Sequence, residues 1–173
     1  MTSQAPEVWL RGAVPGIPLL LQPVAHSLLQ CVEELRATLA GLTVAQIRAR
    51  PGGAASIEFH VRHGAGSLDR LFTYARGEAL SSEQRAALAA ERDSDLRDDD
   101  AERLTQLFER AVQSALQQLR TTDEGSLLEV RRVGRAQLPS TVLGLLFHAA
   151  EHTQRHTGQA VTTAKIVAGA GSC

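Results

Sequence analysis

The chain has 173 residues, 43% of them apolar and 21% charged, the balance of one soluble globular domain with a single core. Eighteen basic residues against nineteen acidic ones leave a net charge of −1, which gives no electrostatic footprint for nucleic acid or for an anionic membrane surface. Aromatic residues make up only 3%, and with Ala, Leu and Gln abundant this excludes an all-β sandwich and favours helices.

Residues 1–16 show no period and carry Pro6 and Pro15, so they read as an extended N-terminal arm whose Trp9 and Leu10 are expected to dock on the body. The apolar patch from Ile17 to Leu21 is bracketed by Pro15, Pro18 and Pro23 and lacks a basic flank, so it is not read as a signal peptide. No stretch reaches the ~20 apolar residues of a membrane helix. A cytoplasmic location is expected.

Helix one is predicted from Pro18 to Leu42, with Val24, Leu28, Cys31, Leu35 and Leu39 at helical spacing. A short helical turn follows in TVAQIR, then the breaker Pro51-Gly52-Gly53. Ser56 is an N-cap for helix two, which is predicted to end near Gly77. Ser81 and Gln84 fit a capping box for a short extra helix. Helix three is predicted to begin after Asp98-Asp99-Asp100, carboxylates that suit the positive end of a helix dipole, and to carry Ala101, Leu104, Phe108, Ala111, Ala115 and Leu119 inward. Between Thr121 and Leu138 the run EVRRV reads as a small strand, and helix four is placed from Pro139 to Ala168, ended by Gly169 and Gly171. Residues 169–173 form a tail ending in Cys173. With Cys31 in an apolar run, the two cysteines make no disulfide framework.

These elements predict an all-α fold, a four-helix bundle in a single domain over residues 1–173. The connection between helices two and three is about twenty residues, long for antiparallel neighbours. A crossover that leaves those two helices parallel is therefore expected.

The histidines carry the chemistry. His60 and His63 lie on helix two; His148, His152 and His156 lie on helix four. At about 100° per residue the latter three share one stripe. Leu138, Leu145, Gln159, Thr163 and Ile166 lie on the same stripe, which is therefore read as the inward face. His63 lines up with Phe59, Ser67, Arg70 and Tyr74. Imidazoles stacked in an interior each need a partner, and charging several is costly. A divalent cation resolves this by taking a lone pair from each neutral ring. Two ligands at i and i+4 with a third from a facing helix suit Zn²⁺, Ni²⁺, Mn²⁺ or Fe²⁺. The expected ligands of one ion per chain are His63, His152 and His156, with His60, His148 and Gln159 behind them. Neither HExxH nor a pair of ExxH motifs is present.

Arg70 could orient a carboxylate of a small-molecule substrate or pair with an acidic residue in the interior; Tyr74 could supply a hydroxyl. No carboxylate stands out as an acid–base partner, since helical phase turns Glu58 and Glu151 away. Catalysis would then fall to metal-bound water or thiolate. Leu143, Leu146, Phe147, Ala150 and Val161 form a second apolar stripe on helix four, from which a homodimer is expected.

The segments SIEFHVRHGAGSLDRLFTYARG and LLFHAAEHTQRHTGQAVTTAKI resemble helices two and four of the DinB-like, YfiT-type superfamily of damage-inducible four-helix-bundle proteins, which is unrelated to the DNA polymerase of that name. The HxxxHxGQ element, here His152 to Gln159, is its most telling mark. The resemblance implies a bundle with a crossover, often dimeric, and a divalent metal on His63, His152 and His156. It further implies a thiol S-transferase or related hydrolase, with a low-molecular-weight thiol as co-substrate. The alternative is a stress-response protein that binds metal or a small ligand without turnover.

Overall fold

A computed structural model of the chain describes residues 5–91 and 100–170; Asp98, Asp99, Gly171 and Cys173, named above, lie outside them. Capping residues set where the helices begin. After a 3-10 turn at Leu19–Leu21, α1 (Gln22–Leu39) starts with Pro23 in its first turn and ends before Gly41, whose φ of 81° only glycine adopts freely. The short α2 (Val44–Arg48) opens on a Thr43–Gln46 capping box. In α3 (Ile57–Ala75) the Ser56 hydroxyl accepts from the Phe59 amide, and α4 (Ser82–Ala90) opens on the Ser81–Gln84 capping box. Asp100 caps α5 (Ala101–Thr121) by accepting from the Arg103 amide at 2.8 Å.

A hairpin of β1 (Val130–Val133) and β2 (Leu138–Thr141) then leads into α6 (Val142–Ala170). Pro139, expected to open the last helix, instead stands in β2 opposite Arg132. A two-stranded ribbon is all edge, so a residue without an N–H fits there. The start of α6 is held differently: Val142 and Leu143 donate to the carbonyls of Glu129 and Leu127, and the Gly144 amide to the Thr141 hydroxyl. Three of its free N–H groups are thereby satisfied. At the other end the helix runs through Gly169 to Ala170.

Helices α1, α3, α5 and α6 form the bundle, with α1 and α3 each packed on both α5 and α6. The Leu20 amide reaches Glu124 and Arg36 pairs with Glu109, so α1 and α5 run antiparallel. Phe108 lies against Gly64 and Gln118 donates to the Phe72 carbonyl, so α3 and α5 run parallel, as the long connection predicts. His60 faces His156 and His63 faces His152, so α3 and α6 are antiparallel.

The core is aliphatic. Val24, Leu28, Cys31, Leu35 and Leu39 of α1 meet Leu104, Phe108, Val112 and Leu119 of α5. The arm docks through Val8, buried, whose amide donates to Gln30, while Trp9 is 61% exposed and Leu10 also faces solvent. The Trp9 indole N–H bonds to nearby Glu7 rather than to the body. On α6 the stripe read as a dimer surface is largely consumed within the chain: Leu146 and Ala150 are buried, and only Phe147 is strongly exposed. A helix packed between α1 and α3 needs two apolar faces, so the stripe by itself does not require a second copy.

Leu28→Ala should lower stability by about 2–5 kcal/mol, whereas Trp9→Ala should change it by less than about 0.5 kcal/mol. Urea unfolding followed by circular dichroism checks both.

Candidate metal centre

The antiparallel crossing of α3 and α6 brings four imidazoles together. His63 Nε2 lies 3.0 Å from His152 Nε2, and His60 Nδ1 lies 3.0 Å from His156 Nδ1. The ring of His156 sits 4.6 Å from those of both His63 and His152. One ring nitrogen from each of His63, His152 and His156 falls within 4.8 Å of the others, a spread from which three donors could hold one ion.

A carboxylate from the crossover fixes one donor. Glu91, just past the end of α4, accepts from His63 Nδ1 at 2.8 Å and pairs with Arg70 at 2.6 Å. Burial opposes its ionisation, but the hydrogen bonds from His63 and Arg70 hold its pKa below the ordinary carboxylate value. With its proton on Nδ1, His63 turns a bare Nε2 lone pair into the cluster. Gly66 makes room for this arrangement: a Cβ there would lie 2.6 Å from the Glu91 carboxylate and 2.8 Å from the Arg70 guanidinium. Phe59 stacks on the far face of His63, its ring 5.4 Å away and within 7° of parallel.

Three of the rings favour the neutral form. Burial, reinforced by the neighbouring histidines, pushes His156 down to about 4 and also lowers His60 and His152. His152 Nδ1 is buried without a hydrogen-bond partner among the described residues. Such an orphan, beside two nitrogen–nitrogen contacts, is a donor set left with surplus lone pairs. Neutral imidazoles with lone pairs converging on one point fit a divalent cation of the Zn²⁺ or Ni²⁺ kind.

The other expected site residues fall as follows. His60 is buried and touches His156 directly. His148 stands at the rim, its side chain 52% exposed and its Nδ1 3.3 Å from Glu151, so that carboxylate is not turned away from the stripe. Gln159 is exposed, as is Ile166, and Leu138 lies in β2. The buried face of α6 runs through Leu145, Ala149, Thr153, Thr157 and Ala160, about a quarter-turn from the histidines, which line the edge of the core rather than its centre. Arg70 is engaged with Glu91, the acidic partner that helical phase alone did not identify. Tyr74 is half-buried in a separate open groove with Arg131, Arg132 and Arg135. Glu58 is buried between Arg48 and Arg62. Cys31 bonds to Gln154, and burial raises its thiol to about 12, so it is no nucleophile.

Glu91 is the residue that sequence reasoning missed. Its signal was present: Gln84 and Glu91 are seven residues apart on a capped helix, so whatever surface Gln84 faces, Glu91 faces too.

A family model described as the DinB superfamily matches residues 27–160, a span that includes both histidine segments. The chain belongs to the DinB superfamily. A crystal structure described as a conserved protein of a locus from Enterococcus faecalis matches with a TM-score of 0.67 over 86% of this chain and 97% of that one. Its sequence is 23% identical, which shows a common fold. No curated protein matches the chain. As a DinB-superfamily member with three convergent histidines, the chain has a site that could hold a metal ion. Among the described residues no helix is long and apolar enough to cross a membrane.

The depressed histidines give the metal-free protein a pH dependence. Below the ordinary value of 6.5 the unfolded chain takes up protons that folded His156, titrating near 4, refuses. Stability should therefore fall as pH drops from 6.5 towards 4.5, where carboxylates begin to contribute. His156→Gln should flatten that slope in urea titrations of chelator-treated protein.

Proposed function

We propose that this chain binds one divalent metal ion through His63, His152 and His156, and that the ion serves a thiol S-transferase or related hydrolytic activity. The observation that carries the metal reading is the convergence of three ring nitrogens within 4.8 Å. The carboxylate behind His63 adds the outer hydrogen bond that metal-ligating histidines commonly make. A divalent ion on three neutral ligands supplies Lewis acidity that lowers the pKa of a bound water or thiol towards neutrality. The residues of the chain do the rest. Glu91 and Arg70 hold His63 in its tautomer, Phe59 fixes its ring plane, and half-exposed His148 marks the open side of the cluster.

A second reading, binding without turnover, has an observation of its own. Glu91 is committed to His63 and Arg70, and Glu58 to Arg48 and Arg62, which leaves neither buried carboxylate free as a general base. The two readings part on thiol consumption with an electrophile such as a haloaromatic or an epoxide. Saturable turnover dependent on the three histidines supports the enzyme; metal binding without turnover across a panel of thiols supports the second reading. A homodimer belongs to the proposal too, resting now on exposed Phe147 beside Pro23 and Val24. A monomeric mass by light scattering at micromolar concentration would remove it.

Elemental analysis of tag-free protein should find near one equivalent of metal per chain, absent from the variant with His63, His152 and His156 all changed to Ala. Loss of metal from neither protein, or its absence from both after incubation with Zn²⁺, Ni²⁺ and Mn²⁺, would sink the site. Glu91→Gln should weaken metal binding about 10–100-fold in competition with a chelator, while Glu151→Gln at the rim should leave it nearly unchanged.

A further inference from the structure

Helix α4 buries none of its side chains, although Ala86, Ala87, Leu88, Ala89 and Ala90 make it largely apolar. It is pinned over α3 by polar contacts at its two ends. Near its start Gln84 donates to Asp69 at 2.7 Å and to Thr73 at 2.8 Å; at its end Glu91 holds His63 and Arg70. Between those ends, α3, α4 and α5 enclose a cavity of about 380 Å³, within the range of small-molecule pockets.

Its walls are Phe59 and Phe72 of α3, Leu107 and Ala111 of α5, and Ala87 and Ala90 of α4. Water against such walls is displaced favourably by an apolar body. The polar groups are unevenly committed. Asp69 is bonded to Gln84 and Glu91 to His63 and Arg70, so the carboxylates at the wall are taken. Arg62 lies against Glu58, and Arg76 against Glu78 and Gln118. Arg110 lines the same cavity and has no ion-pair partner among the described residues, and Ser114 follows one turn later on α5.

The geometry points to this cavity as a binding site for a small amphiphilic anion: an apolar chain or ring between Phe59 and Phe72, with a single carboxylate or sulfonate on Arg110. Charge complementarity selects the anion, because among the described residues the one uncommitted charged group at the wall is cationic. The cavity shares Phe59 and Glu91 with the surroundings of His63, but none of the three candidate metal ligands lines it, so anion binding at Arg110 is expected without metal.

The test is calorimetric titration with octanoate, octanol and octylammonium, on the wild type and on the variant with His63, His152 and His156 changed to Ala. Octanoate should saturate at one equivalent in both proteins and bind at least tenfold more tightly than octanol, with octylammonium weaker still. Arg110→Gln should reduce octanoate to the level of octanol. Ala87→Trp, which fills the cavity from an exposed position on α4, should abolish binding, and Ala111→Phe should do so from the other wall. Equal binding of octanoate and octanol, no saturable binding, or binding untouched by both filling substitutions would overturn the site. Loss of octanoate binding in the histidine variant alone would overturn its independence from the cluster.

Discussion

Four imidazoles in nitrogen-to-nitrogen contact across the α3–α6 seam impose the tightest constraint in this molecule. Each ring must place one proton and one lone pair, and the seam is too dry to let several rings carry charge at once. Glu91 and Arg70 settle the first assignment by fixing the proton of His63 on Nδ1. With a bare Nε2 on His63, the facing His152 donates from its own Nε2, which leaves a spare lone pair on His152 Nδ1. A hydrocarbon core has no use for such an arrangement. The fold does not draw its stability from it either, since the aliphatic side chains of α1, α5 and α6 supply the buried surface at roughly 1.5–3 kcal/mol for each large residue.

The bundle serves that seam through its connectivity. The crossover after α3 lets α5 return parallel to it, and the same crossover carries α4 back along α3 so that its last turn arrives over His63. A direct hairpin between α3 and α5 would leave no segment in that position. The hairpin before α6 has a comparable effect at the other end of the chain: Leu127 and Glu129 receive the first amides of α6 and so set where that helix begins. His152 and His156 sit at fixed distances along α6 from that start.

Much of this could be read from the residues because local rules and tertiary packing agreed. Ser56, Ser81 and Asp100 each cap the helix they announce, and the apolar period of α1 is the buried face of α1. The gathering of His63, His152 and His156 followed from spacing on two helices. What escaped was information that a single helix does not contain. The inward direction of α6 is decided by two neighbours, so its buried face lies beside the histidine stripe and leaves Gln159 outside. Val8 rather than Trp9 anchors the arm because Gln30 of α1 offers its amide a partner. Pro139 reads as a helix starter until a strand is there to take it. Arg70 lacked an identified partner for the same reason that Glu91 went unseen: they meet only when α4 folds back on α3.

The thin attachment of α4 has a kinetic consequence. A helix that buries no side chain contributes little to the cooperative unit formed by the bundle and opens at a lower cost than its neighbours. Its backbone amides belong with the faster-exchanging protons of the molecule, on a timescale separate from global unfolding. Each opening withdraws Glu91 from His63 and momentarily frees that imidazole to flip or to change tautomer. Any ion held by the cluster would then exchange at a rate tied to the breathing of a helix whose own residues never enter the cluster.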